Sequence, residues 1–316
     1  LHTSDLTMHS YPYLILGGGM TADAAVKGIR LCDASSRIGL IGEELDPPYS
    51  RPPLSKSLWT GLRLEEIWRP TRGRQVEMHL GRRAVQIDPV RRLVRDQKGE
   101  LYRYEKMLFA IGGQPRRLAG DDANVIYYRT LADYRRARVL ADARGEIGIV
   151  GAGLIGTELA AVMAKRGARV TLLGTGAWPC GSLLPAPLGK QLGDYLGKLG
   201  VRIEPSVRVQ SVQRIPGGHE LQLLGGRRLQ FPQVAAGIGL IPNTELAGQA
   251  GVRVTPAGIA VDENLQTNFS EIWAAGDCTV HYCKALGRLV QSQHEEHANF
   301  SGLAAGRAMA GKPSYY

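Results

Sequence analysis

Two glycine-rich turns and one lysine are the parts of this chain best suited to chemistry. Gly17-Gly18-Gly19-Met20-Thr21-Ala22 fits the spacing G-x-G-x-x-A, and Gly151-Ala152-Gly153-Leu154-Ile155-Gly156 fits G-x-G-x-x-G. In such a turn the first glycine permits a sharp reversal and the second lets backbone approach a pyrophosphate. The third position must be small so that helix and strand pack closely. The helix that follows offers free N–H groups to the phosphates. Two such turns, 134 positions apart (151 − 17), call for two dinucleotides, or for one dinucleotide and a degenerate copy of its site; two sites are the preferred reading. The lysine, Lys56, lies just past Pro52-Pro53 in GEELDPPYSRPPLSKSLW (42–59), a rigid non-helical ramp that also carries Arg51.

The elements that must position these turns can be read around them. A short apolar strand precedes Gly17, an amphipathic helix follows it to about Arg30, and a second strand at 37–41 ends at Glu43 and Glu44. An acid there can accept both hydroxyls of an adenosine ribose, although Glu43 stands 26 positions after Gly17 where about 20 is usual. The second turn has strand 147–150 before it, helix 154–166 and the C-capping Gly167 after it, then strand 169–173. Beyond that strand the chain reads GTGAWPCG, with neither an acid for a 2′-hydroxyl nor a cation for a 2′-phosphate. The segment therefore does not separate NADH from NADPH. NADH is preferred, because nothing positive is offered to the extra phosphate.

Short strands are expected over 78–104 with a turn at Lys98-Gly99, and a buried strand at 107–111. The leucines and tyrosine at 188, 192, 195, 196 and 199 predict a helix over 187–199 whose apolar stripe packs into a core. A strand at Ile272–Ala275, then Gly276-Asp277 and a closing helix of small residues, lack a fingerprint of their own. They are read as completing the first unit, with the second inserted in it: residues 1–117 and 246–316 against 118–245.

Composition narrows the class. With 316 residues the chain can hold two cores, and the net charge of +10 suits an acidic partner protein, nucleic acid or an anionic surface. Four cysteines (Cys32, Cys180, Cys278 and Cys283) are too few for a disulfide framework, so a reducing, cytoplasmic setting is expected. The apolar run 147–164 carries Glu158 and the glycine spacing, which argues against a membrane span. No metal site is expected, since His294 and His297 stand at i, i+3 without cysteine company. The chain opens at Leu1, so its true N-terminus is left open.

The motifs GGGMTA (17–22), PPYSRPPLSKSLW (47–59), AIGGQPR (110–116), YRTLADYRRA (128–137), GAGLIGTE (151–158), GIGLIPN (237–243), WAAGDC (273–278) and HEEHANFSGLAAG (294–306) occur in one order along the whole chain. Together they resemble the glutathione-reductase-type flavoproteins, and more narrowly the ferredoxin and rubredoxin reductases and the apoptosis-inducing-factor branch. The resemblance implies an α/β fold of two Rossmann-like domains, with FAD in the first and NAD(P)H in the second. It assigns Gly17, Gly19 and Ala22 to the FAD pyrophosphate and Glu43 to the ribose, and sets Ala84 by the adenine. Arg51 and Arg129 go to the cofactor, Asp277 with Gly276 to the ribitol at a helix N-terminus, and His294 to the flavin. Gly151, Gly153, Gly156 and Gly239 go to the pyridine nucleotide. It also places Lys56 near the flavin, paired in a low-dielectric site with Glu158 of the second unit.

Two features depart from the family pattern. No cysteine lies between 33 and 179, so the redox dithiol of the disulfide-reducing branches is lacking. The chain also ends near where the ferredoxin-reductase branch begins a further domain, which is therefore read as absent or cut off. The reading is an enzyme that passes hydride from NAD(P)H to FAD and electrons to a small acidic protein such as a ferredoxin or rubredoxin. Two alternatives stand beside it. One is a slow, apoptosis-inducing-factor-like oxidase whose redox state governs binding, for which no basic run interleaved with aromatics marks a nucleic-acid site. The other is an NADH oxidase using oxygen. Oligomeric state is not legible.

Overall fold

A computed structural model describes residues 8–120 and 124–312; the terminal 313–316, where the further domain was expected to begin, lie outside them. The chain divides into two compact units. The first comprises Leu1–Ser50, Glu65–Gln114 and Pro242–Tyr316, and the second Arg51–Leu64 and Pro115–Ile241. The ramp at 51–64, expected in the first domain, thus groups with the second unit. Its Trp59 explains this: the indole N–H bonds Leu54 O at 2.6 Å and the Tyr128 hydroxyl at 3.2 Å, and Arg138 lies over its ring.

The first unit is built on a seven-stranded sheet in the order Val76–Leu80, Ile38–Gly42, Met8–Leu16, Leu101–Phe109, Leu93–Asp96, Ala84–Asp88, with Ile272–Ala274 also paired to Leu101–Phe109. The late strand pairs in parallel, Trp273 opposite Leu108. Strands expected separately before 104 and at 107–111 are here one strand, Leu101–Phe109. Its first half alternates buried and exposed, as suits an antiparallel meander with one wet face. Its last residues, Met107, Leu108 and Phe109, are fully buried, as suits a parallel sheet covered on both faces.

Helix Met20–Arg30 was expected to be amphipathic, yet nine of its eleven residues are buried. The cause is the closing helix Glu295–Met309, which packs along it so tightly that a Cβ at Gly28 would lie 2.2 Å from Leu303 O.

The second unit carries a parallel sheet ordered Arg202–Glu204, Arg169–Leu173, Glu146–Val150, Gln233–Ala236, Ile126–Tyr127, and a separate antiparallel sheet of three strands over Val209–Phe231. Helix Leu154–Lys165 joins strand Glu146–Val150 to its parallel neighbour Arg169–Leu173, completing a βαβ unit. Helix Ala186–Lys198 corrects the expected core stripe: Leu196 is fully buried, but Leu188 and Tyr195 are 50 % and 46 % exposed. Among the described residues no helix is long and apolar enough to cross a membrane.

Candidate functional site

Each glycine turn sits where a strand ends and a helix begins. Gly17 has φ +118°, and a Cβ there would lie 2.1 Å from Ala110 O at the end of the neighbouring strand. Gly151 repeats this with φ +103° and Gly237 O at 2.4 Å. Only glycine serves at either point without displacing backbone. Ala22 is fully buried, and a Cβ at Gly156 would meet Gly151 O at 1.8 Å.

The second glycines behave differently. Gly19 and Gly153 are the N-caps of their helices, neither helix start has a side-chain cap, and a Cβ at either position meets nothing within 4 Å. Backbone donors at a positive helix end, with open space before them, are a cradle for an anion such as a pyrophosphate. The residues present therefore fit the dinucleotides implied by the sequence.

Around the first turn, Gly276 comes so close to Thr21 that a Cβ would lie 2.3 Å from Thr21 Oγ1, which brings Asp277 to the same end of the sheet. The expected helix N-terminus at Asp277 is not found. Residues Gly276–Cys278 form a 3₁₀ turn leading into strand Thr279–Cys283, and the turn is clamped from the side by the closing helix. Gly276 N donates to Ser301 Oγ at 2.9 Å, and His297 Nε2 lies 3.2 Å from Gly276 O. These two positioning residues were not read from the sequence; their i, i+4 spacing on one helix face was the available signal. Burial lowers the pKa of His297, and burial with the neighbouring His297 charge lowers that of His281, whose ring is stacked 5.8 Å away.

Asp23 was missed as well. It is buried in the first fingerprint helix and accepts from Thr71 Oγ1 at 2.6 Å, Arg74 Nη1 at 2.6 Å and Arg69 Nη1 at 3.2 Å, tying segment 69–74 to that helix. Glu43 lies beyond strand Ile38–Gly42, largely exposed, with Arg83 at 3.8 Å. Ala84 is partly buried at the start of strand Ala84–Asp88. His294 caps the closing helix: it is exposed, and its Nδ1 accepts from Glu296 N at 3.2 Å.

In the second unit Lys56 Nζ donates to Glu158 Oε2 at 2.8 Å, and Ser55 Oγ donates to the same oxygen at 2.6 Å. Glu158 is on helix Leu154–Lys165, so the contact lies within one unit rather than reaching from the second to the first. The expected low-dielectric setting is also corrected, since the Lys56 side chain is 53 % exposed. Such a pair holds a cation in place but adds under about 1 kcal/mol to stability. Arg51 Nη1 donates to Arg129 O at 2.9 Å, and Arg129 N to Asp133 Oδ2 at 3.2 Å, which fixes both arginines beside the capping box of helix Leu131–Asp142. Burial raises the pKa of Tyr128, whose hydroxyl donates to Leu54 O.

Gly239 has φ +104° and its carbonyl accepts from Arg116 N at 2.9 Å. The position after strand Arg169–Leu173 is Gly174, where a Cβ would lie 2.6 Å from the Ala152 Cβ. No acid fits there unless the fingerprint turn moves. All four cysteines are free; burial pushes the Cys278 thiol up to about 12, so it stays protonated.

Residues 11–299 match the family of pyridine nucleotide-disulphide oxidoreductases, and the chain belongs to it. With that family it is an FAD-dependent oxidoreductase that uses NAD(P)H. The ferredoxin–NAD(+) reductase component of the anthranilate 1,2-dioxygenase system of Burkholderia cepacia is 30 % identical over 98 % of this chain and 78 % of its own length. The nitric oxide reductase FlRd–NAD(+) reductase of Escherichia coli K12 is 32 % identical over 84 % of this chain and 71 % of its own. The putidaredoxin reductase of a covalent complex with putidaredoxin superposes with a TM-score of 0.88, at 28 % identity, over 96 % of this chain and 76 % of that one.

Proposed function

We propose that this protein takes hydride from NAD(P)H, with NADH preferred, and passes electrons singly to a small acidic iron–sulfur protein such as a ferredoxin or rubredoxin. The observation that carries the reading is the pair of uncapped helix starts at Gly19 and Gly153, each open in front of its second glycine. The first unit is the FAD-binding domain and the second the NAD(P)H-binding domain. FAD, when bound, supplies the step from two-electron to one-electron chemistry.

The chain's own residues do the rest. Gly17, Gly19 and Ala22 leave the first turn thin enough for the pyrophosphate, while Gly276 and Asp277, clamped by Ser301 and His297, meet the ribitol. Glu43 takes the adenosine ribose and Ala84 bounds the adenine; Arg51, Arg129 and His294 complete the cofactor's surroundings. Gly151, Gly153 and Gly156 do for NADH what the first turn does for FAD, with Gly239 on the nicotinamide side. Lys56, held by Glu158 and Ser55, is the cation that the family resemblance assigns to the reduced flavin, where its role would be electrostatic and would move no proton. The net charge of +10 favours docking of an acidic carrier. Four free cysteines suit a cytoplasmic location.

The test is an anaerobic NADH titration of the purified protein. The reading expects a yellow protein that bleaches with about one NADH per chain and is then rapidly reoxidised by added ferredoxin or rubredoxin. A colourless protein, or a flavin that NADH does not bleach, overturns it. Slow bleaching that leaves a persistent long-wavelength band transfers support to the slow-oxidase alternative.

A further inference from the structure

The first unit contains a polar cluster that the redox reading does not use. His9 on strand Met8–Leu16, His79 on strand Val76–Leu80 and Glu100 in the turn before Leu101 come from three parts of the chain, yet one donor atom from each lies within 4.8 Å of the others. His9 Nε2 and Glu100 Oε2 are 3.4 Å apart. The side chains are only 20 %, 13 % and 26 % exposed, so the donors are partly sheltered from solvent.

The donors are held before any ligand arrives. His9 stacks on Tyr102 with ring centroids 5.0 Å apart, and His79 sets its edge to both His9, at 4.6 Å, and Tyr102, at 4.9 Å. Glu100 is divided between its two oxygens. Oε1 accepts from Arg82 Nη2 at 2.7 Å, while Oε2 faces His9 and lies 3.2 Å from the Tyr102 hydroxyl. Arg82 is anchored in turn by buried Asp96 at 3.0 Å, and Asp96 accepts from the Glu100 backbone N–H at 3.0 Å. A carboxylate oriented by outer hydrogen bonds and imidazoles locked by packing are what a pre-organised metal site requires.

His79 Nε2 lies 2.7 Å from the Tyr11 hydroxyl, which has a second acceptor in Glu77, so yielding that nitrogen to an ion leaves no orphaned group.

We propose that His9, His79 and Glu100 bind one divalent transition-metal ion of the zinc class through three protein donors, with a fourth position open to water. In a tetrahedral zinc site the donors stand about 3.3 Å apart, so side-chain moves of roughly 1 Å close the present spread. The expectation of no metal site came from weighing adjacent histidines only; His9, His79 and Glu100 have no spacing that a sequence motif records.

The test uses the flavin-containing protein stripped with a chelator and titrated with zinc chloride in a calorimeter. One zinc per chain is expected, with affinity weakened at least tenfold in His79→Gln and Glu100→Gln and unchanged in Cys32→Ser, a partly exposed thiol outside the cluster. Zinc should raise the Tm of the unaltered chain by several degrees and leave that of His9→Gln unmoved. Crystals soaked in zinc read the site without any variant: an anomalous peak among the three side chains supports the proposal. A peak elsewhere, no saturable uptake, or uptake indifferent to all three substitutions overturns it.

Discussion

The two fingerprint turns share a backbone and differ in their surroundings. Gly17 and Gly151 make the same reversal against a neighbouring carbonyl, and Gly19 and Gly153 leave the same open approach. Yet the helix after the first turn is buried along nearly its whole length beneath the closing helix, whereas the second helix begins with Leu154 58 % exposed and Ile155 40 % exposed. A turn whose helix is buttressed from behind suits a group bound once and kept. A turn whose helix faces outward suits a ligand that enters and leaves at each turnover. The difference teaches that a motif fixes what is bound, while the packing behind it governs how firmly.

Steric substitutions at the turns give the largest expected effects. Gly17→Val places a branched side chain at φ +118° and against Ala110 O, and should cost at least about 3 kcal/mol, read as a lowered denaturation midpoint with loss of flavin. If Gly17→Val keeps its flavin and midpoint, the first turn is not the tightly packed one. Lys56→Met comes next. It should slow flavin reduction by NADH roughly tenfold to a hundredfold in stopped flow, while the Tm moves by no more than about 2 °C, because the pair is too exposed to matter for stability. A large fall in Tm with an unchanged rate would make Lys56 structural instead.

A pH effect should fall on the first unit. His79, His281 and His297 all lie there with pKa values lowered chiefly by burial from an ordinary 6.5. A histidine lowered in the fold binds fewer protons than in the unfolded chain. Its contribution is therefore intact above about pH 6.5 and is lost as pH falls through the folded values. The Tm should decline from pH 7 to pH 5 with flavin release, and His281→Gln should flatten that slope. A Tm independent of pH over this window contradicts the assignment. The smallest effect belongs to Cys278: with its thiol raised to about 12 by burial, native protein at pH 8 should leave it unalkylated while Cys32 and Cys283, both partly exposed, react.

What the sequence disclosed follows from the range of the forces involved. The glycine turns were legible because a reversal and a close backbone approach are local demands that few residue types meet. The Ile272–Ala274 strand and the closing helix were legible as companions of the first sheet because each lacked a phosphate turn of its own. The allegiance of the ramp was not, since it depends on Trp59 meeting Tyr128 across 69 positions. The stripe on helix Ala186–Lys198 was misread because periodicity shows that one face is apolar, not whether another element covers it. Buried networks such as Asp23 with Arg69, Thr71 and Arg74 leave no spacing to recognise, because their partners arrive through tertiary packing alone.

The most direct measurement is a matched pair of substitutions, Gly19→Ala and Gly153→Ala, assayed for bound FAD and for the NADH concentration that half-reduces it. A methyl group at either site meets no protein atom within 4 Å, so the fold is spared and only a ligand is obstructed. The account predicts that Gly19→Ala loses FAD, while Gly153→Ala stays fully yellow and needs at least about tenfold more NADH. Full flavin in Gly19→Ala, or flavin loss in Gly153→Ala with NADH affinity unchanged, would contradict the assignment of the two turns.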